Sequence, residues 1–217
     1  DPWAAIDLLS QEMPGHPYTR MKRGDIEAAL DEFVSFLNTQ DLPYVNQTGQ
    51  NAEMITPLGI VKKTYYAPES MGEGIKALRE KAPCLLVDFH GLSDFSATQM
   101  AASLREDWPE IRSARVSFPG SNDNRELIPG DIMAETMELS KNRAALAQAV
   151  KPLVGDARVV GVPAVMGMKR TQEILSDMEN QIGVPVFEIP TFPVSVPGLR
   201  LNETFARGLL KKGVKRL

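Results

Sequence analysis

Hydrophobic positions along the chain fall into two periods, one helical and one extended. Trp3, Ile6 and Leu9 follow an Asp1-Pro2 start, which predicts a short helix capped by Asp1. Residues 14–18, Pro-Gly-His-Pro-Tyr, read as a turn. Ile26, Ala29, Leu30, Phe33, Val34 and Leu37 share one helical face, predicting an amphipathic helix from an Asp25 cap to about Asn38. Residues 43–66 read as strands about the turn Thr56-Pro57-Leu58-Gly59, with Lys62 and Lys63 marking an edge strand. From residue 82 the pattern changes. Cys84 to His90 is a nearly continuous apolar run, as in a strand buried on both faces. A capping box at Ser96 and Gln99 opens a helix to about Asp107. A strand at Arg115–Phe118, a polar loop over 121–130 and two helical stretches over 131–152 follow. Next come a strand at Arg158–Ala164, a helix capped by Thr171 and ending near Gly183, and a strand from Val184 to Ile189.

This alternation predicts an α/β fold, a mainly parallel sheet flanked by helices, over residues 81–217. Residues 1–80 form a smaller segment of helix and β-hairpin, either separate or part of one unit. In such sheets ligands lie beyond the carboxyl ends of the strands. The residues delivered there are Asp88 to Asp94, Phe118 to Ser121, Pro163 to Thr171 and Pro190 to Arg200.

The last of these is the most unusual. Prolines 185, 190, 193 and 197 each fix φ and remove a backbone donor, so the chain leaves its strand as a stiff rail. Gly198 ends the rail, and a helix with Leu199, Leu201, Phe205, Leu209 and Leu210 begins near Leu199. Thr191 and Ser195 lie on the rail. Arg200 sits in the first helical turn, where a cation opposes the macrodipole and points to a nearby anion. Two readings follow: a connector whose arginine pairs with a neighbouring carboxylate, or a ligand-facing rail.

Two further clusters carry candidate chemistry. His90 could shuttle protons if oriented by Asp88 or Asp94, or it could simply bond loop backbone. Lys169 and Arg170 stand before a helix start, a place suited to phosphate, although P-loop spacing is absent and a solvated loop explains them equally.

Composition narrows the partners. The 217 residues carry a formal net charge of −4, which argues against a nucleic-acid surface. The single cysteine, Cys84, has apolar neighbours and reads as an inert buried thiol. Two isolated histidines and one cysteine give no metal-ligand spacing, so no metal is expected. There is no Gly-x-Gly-x-x-Gly, no basic-then-apolar signal segment and no run of the ~20 apolar residues that a membrane span needs. A start at Asp-Pro-Trp without methionine suggests a piece of a longer chain.

Several segments together resemble the B subunits of the anaerobic glycerol-3-phosphate dehydrogenases, flavoproteins of the fumarate reductase/succinate dehydrogenase group. They are Ile6–Ser10, His16–Tyr18, Thr56–Gly59, Gly91–Phe95, Ala101–Glu106, Pro163–Gly167 and the rail Pro190–Leu201, in the family's order. The resemblance implies that this chain is a central, substrate-facing domain. The flavin, FAD or FMN, would be held by missing N- and C-terminal parts, with none on this fragment, which alone would be inactive. It implies a small phosphorylated or hydroxy-acid substrate, with sn-glycerol 3-phosphate oxidised to dihydroxyacetone phosphate and electrons passed to a quinone-linked chain. It also implies a catalytic partner subunit, a membrane-anchor subunit, and a cytoplasmic location with membrane association only through a partner. Thr191, Ser195, Gly198 and Arg200 match the family pattern and are carried over as substrate-binding candidates. Val194 stands where the family has a second proline, and the pattern does not require His90, Asp94, Lys169 or Arg170. The competing class is a non-catalytic α/β module that captures a small anion or serves in subunit docking.

Overall fold

A computed structural model describes residues 1–46, 49–121 and 127–214. Helix α1 (Pro2–Glu12) starts where expected, with the Asp1 carboxylate accepting the Trp3 N–H at 2.9 Å. A 3-10 turn at Pro17–Arg20 leads to α2 (Arg23–Asn38). That helix begins before Asp25. Lys22 holds the cap position without a side-chain bond, and Asp25 lies in the first turn, where its charge still suits the macrodipole. Four short strands follow: β1 (Tyr44–Val45), β2 (Ala52–Ile55), β3 (Val61–Thr64) and β4 (Ala67–Pro68). β2 and β3 form an antiparallel hairpin about the predicted turn, Ile55 facing Val61, while β1 pairs with β4. The hairpin is a sheet of its own, so its two lysines do lie on an edge.

Helix α3 (Gly72–Glu80) was not foreseen from the pattern, because Gly72 and Gly74 depress helical propensity in its first turn. Packing explains Gly74. A Cβ there would stand 2.3 Å from Phe187 Cδ2, so the helix presses on the sheet where only hydrogen fits.

The wholly buried β5 (Cys84–Phe89) leads to α4 (Ala97–Leu104), whose cap Ser96 accepts the Gln99 N–H at 3.3 Å. This helix stops at Leu104, short of Asp107. β6 occupies Ile111–Val116 rather than 115–118, its polar Arg112-Ser113 stretch having disguised it. The loop expected over 121–130 lies partly outside the described residues, at 122–126. Then come α5 (Gly130–Met137), α6 (Ser140–Val150), β7 (Val159–Pro163) and α7 (Thr171–Ile182). Thr171 is the first residue of α7 and not its cap; Arg170 takes that position without a side-chain bond. After β8 (Val186–Ile189), α8 (Val196–Lys211) begins three residues before the expected Leu199. The rail therefore ends at Ser195, which caps the helix through the Gly198 N–H at 3.4 Å. Pro197 belongs to the helix's first turn, where a missing donor costs nothing.

Strands β6-β5-β7-β8 form a parallel sheet in that order, in register from Cys84 opposite Ile111 to Pro163 opposite Ile189. Met133, Leu146, Ile174 and Met178 bring α5, α6 and α7 onto one face. Leu78, Met100 and Trp108 pack α3, α4 and the turn after it on the other. The chain is an α/β fold. Ile55 of the hairpin joins the α3–α4 cluster, so the N-terminal segment shares core with the sheet.

Candidate functional site at the carboxyl edge of the sheet

The strand order reverses between β5 and β7. Their outgoing helices α4 and α7 take opposite faces, which makes the crevice beyond these strand ends the expected site. Three buried or half-buried carboxylates fill the turns there.

Asp88, the penultimate residue of β5, accepts the Ala97 N–H at the start of α4 at 3.0 Å. It also receives Arg115 Nε at 2.6 Å and Nη2 at 2.9 Å from the paired position on β6. Glu188 of β8 accepts the Met166 N–H at 2.8 Å. Its two oxygens take Arg200 Nη1 at 2.6 Å and Nη2 at 2.8 Å, and Arg200 Nε donates to the Gly167 carbonyl at 2.9 Å. Both residues are interior, Glu188 1% and Arg200 4% exposed.

Glu138, just past α5, completes the set. Its Oε1 accepts the N–H groups of Met168 and Lys169, each at 2.9 Å, and Oε2 takes Arg170 Nε at 2.9 Å. Burial alone would raise the Glu138 pKa. The Lys169 N–H, the Arg170 guanidinium and the Met168 N–H outweigh it and hold the carboxyl below its ordinary range. Gly167 makes this cradle possible at φ +85°, and a Cβ there would meet Ile174 Cδ1 at 2.3 Å.

These bonds settle where several candidate residues stand. Arg200 is committed to Glu188, the first of the two readings drawn from its position. Ser195 caps α8, Gly198 donates to that cap, and Thr191 is half-buried on the rail. The expected cradle at Lys169 and Arg170 does bind an oxyanion, but the oxyanion is Glu138. His90 donates its backbone N–H to Val116 O at 2.9 Å, while Asp88 serves Ala97 and Arg115 and Asp94 accepts from Ser93 Oγ at 2.8 Å. Neither acid orients the His90 ring. Cys84 is buried and its thiol is pushed up to about 12, chiefly by burial, as an inert core residue.

Glu188 and Glu138 were missed as site residues on sequence grounds. Glu188 did carry a signal: a lone acid inside an apolar strand, twelve residues before a cation that opposes its own helix dipole. Glu138 had none, since its partners come from a loop thirty residues on.

A cavity of about 10 Å³ is lined by Tyr44, Thr171, Pro197 and Arg200 among others, and larger ones lie elsewhere. One of about 400 Å³ between the hairpin and α3 is lined by Lys63, Tyr65, Arg79 and Lys81 among others. Another of about 280 Å³ between α3 and α7 is lined by Glu69, Glu73, Gln172 and Glu179 among others. Neither is lined by Thr191, Ser195 or Gly198. Among the described residues no helix is long and apolar enough to cross a membrane.

The architecture is that of an open α/β sheet with its crevice at the strand ends, and the chain belongs to the FAD binding domain family, whose model matches residues 2–216. Its relatives are more specific. The anaerobic glycerol-3-phosphate dehydrogenase B subunit of Pectobacterium atrosepticum is 26% identical over 217 residues, covering 98% of this chain and 51% of the relative. The B subunit of the Vibrio vulnificus enzyme is 28% identical over 221 residues, covering 98% and 50%. That of Actinobacillus pleuropneumoniae is 27% identical over 209 residues, covering 91% and 48%. The chain thus spans about half the length of the curated relatives it matches. No solved structure matches it significantly.

The strand-end turns do not fit the flavin's pyrophosphate. A dinucleotide needs uncommitted N–H groups at a glycine-rich strand–turn–helix. Here the N–H groups of Ala97, Met166, Met168 and Lys169 already serve carboxylates of this chain and are not free for a phosphate.

Proposed function

We propose that this chain is the substrate-facing half of a flavin-dependent dehydrogenase whose remaining half holds FAD, or FMN, and that the substrate is a small phosphorylated or hydroxy acid of the glycerol 3-phosphate type. The observation that carries this reading is the match along 98% of the chain to the glycerol-3-phosphate dehydrogenase relatives, with only 51% of the relative accounted for. The turns committed to internal carboxylates support placing the flavin outside this half. Within it, Thr191 and Ser195 on the rail and Gly198 in the first turn of α8 are the residues proposed to meet the substrate, and Arg200 acts as a positioning residue that ties the rail's helix to β8 and the 167 loop. Electrons would pass on to a quinone-linked chain through a catalytic partner subunit and a membrane-anchor subunit, which would also supply membrane contact to an otherwise cytoplasmic protein. This half alone would be inactive.

The test is anaerobic reduction of the full-length protein. Addition of sn-glycerol 3-phosphate should bleach the flavin's visible band with dihydroxyacetone phosphate as product. A full-length protein that binds no flavin, or whose flavin no phosphorylated or hydroxy-acid substrate reduces, would remove the reading. The alternative of a non-catalytic docking module is favoured by one observation, the exposed side chains of Phe192 and Val194 on the rail.

A further inference from the structure

Behind the rail Glu188 and Arg200 are spent on each other, yet the rail's most exposed side chains are apolar. Phe192 is 40% and Val194 80% exposed, in a segment that leaves a wholly buried strand. A second apolar strip lies beside it, with Leu127 76% and Ile132 47% exposed. The two strips are held together. The Ile128 N–H bonds Gly91 O at 2.9 Å, anchoring the strip over the end of β5. Gly130, at the start of α5, comes so close to the start of α8 that a Cβ would lie 3.6 Å from Val196 Cγ2. The segments that carry these exposed side chains thus meet along one rim at the carboxyl end of the sheet.

We infer that the apolar side chains of this rim are the seat for a protein surface, that of the other half of the full-length polypeptide. The inference rests on the reading of the chain as half of a longer protein. Two observations choose the occupant. The relatives carry about as much chain again as matches here, which supplies a protein surface within the same polypeptide to cover this one. The three carboxylates at the edge each have an arginine partner, so none of these charges is left over to draw in an ion. Water is excluded most strongly from the apolar centre of such an interface, and charged residues are depleted there.

Footprinting of the full-length protein tests the seat without using flavin or substrate chemistry. Corrected for intrinsic side-chain reactivity, carbene or hydroxyl-radical labelling should modify Phe192 and Val194 at least about fivefold less than Leu8, a 53% exposed residue of α1. Val194→Asp should raise labelling of Phe192 toward the Leu8 level, whereas Val194→Ala should not. Labelling of Phe192 and Val194 equal to that of Leu8 in the wild-type protein overturns the inference. Protection that is lost on dilution, in step with dissociation of a dimer, assigns the rim to a second copy and overturns it too. If the rim is protected but substrates leave the flavin oxidised, the seat stands and the catalytic reading falls.

Discussion

Arg200 and Glu188 form an interior ion pair with both carboxylate oxygens engaged and a backbone donor and acceptor closing the set. Such a pair is costly to break and not especially costly to replace, since desolvation of the charges offsets most of their attraction. Arg200→Ala should lower unfolding stability by about 3–5 kcal/mol, and the double change Arg200→Met, Glu188→Leu should recover much of that loss in urea titrations. Equal losses from single and double variants would mean that the pair also carries backbone structure. Glu138 makes a different prediction. Its pKa is depressed in the folded state, so the stability it contributes is full above the ordinary carboxylate range and is lost as pH falls through the lower, folded value. Asp177 acts in the same sense, held down chiefly by the Arg143 hydrogen bond. In thermal melts across acid pH, Glu138→Gln should be less stable than the wild type at neutral pH, and the difference should shrink as the buffer is acidified. A difference that grows with acid would reverse the assigned sign.

At the level of elements, α3 is held to the sheet by a glycine. Gly74→Ala puts a methyl against the ring of Phe187, which is 2% exposed and cannot swing aside. The strain should exceed the helical gain of alanine, giving a net loss of about 1–3 kcal/mol that Phe187→Leu partly relieves in denaturant melts. The same glycine explains why α3 was illegible: the pattern was broken to let two backbones approach. Buried strands such as β5 and β7 could be read directly, because burial on both faces leaves a continuous apolar run. β6 could not, since the outer strand spends its polar residues on partners distant in sequence, Arg112 on the Leu153 carbonyl and Arg115 on Asp88. The candidate site was half legible. Its place at the strand ends and the need of Arg200 for an anion were written in the local pattern. The identity of that anion, and the Glu138 carboxylate filling the 167–170 loop, depended on tertiary contacts that no local window contains.

Across the whole molecule, stability is concentrated in the two clusters on either side of the sheet, and the N-terminal helix is only lightly attached. Trp3 is the one buried residue of α1, edge-on to Tyr65 at 5.6 Å between centroids and under the Arg23 guanidinium at 4.7 Å. Local opening takes place where few apolar contacts hold an element. Trp3→Ala should therefore speed proteolytic cleavage between residues 13 and 22 while the main unfolding transition stays in place; a matching drop in that transition would tie α1 to the global core. The sheet also terminates in β6, whose backbone faces outward on one side and whose two arginines straddle the strand, one toward each helical layer. For two copies to zip together along that margin and grow into a cross-β fibre, guanidiniums would have to surrender their hydration. The protein should accordingly stay dispersed at concentrations where a bare valine-rich border would seed polymer.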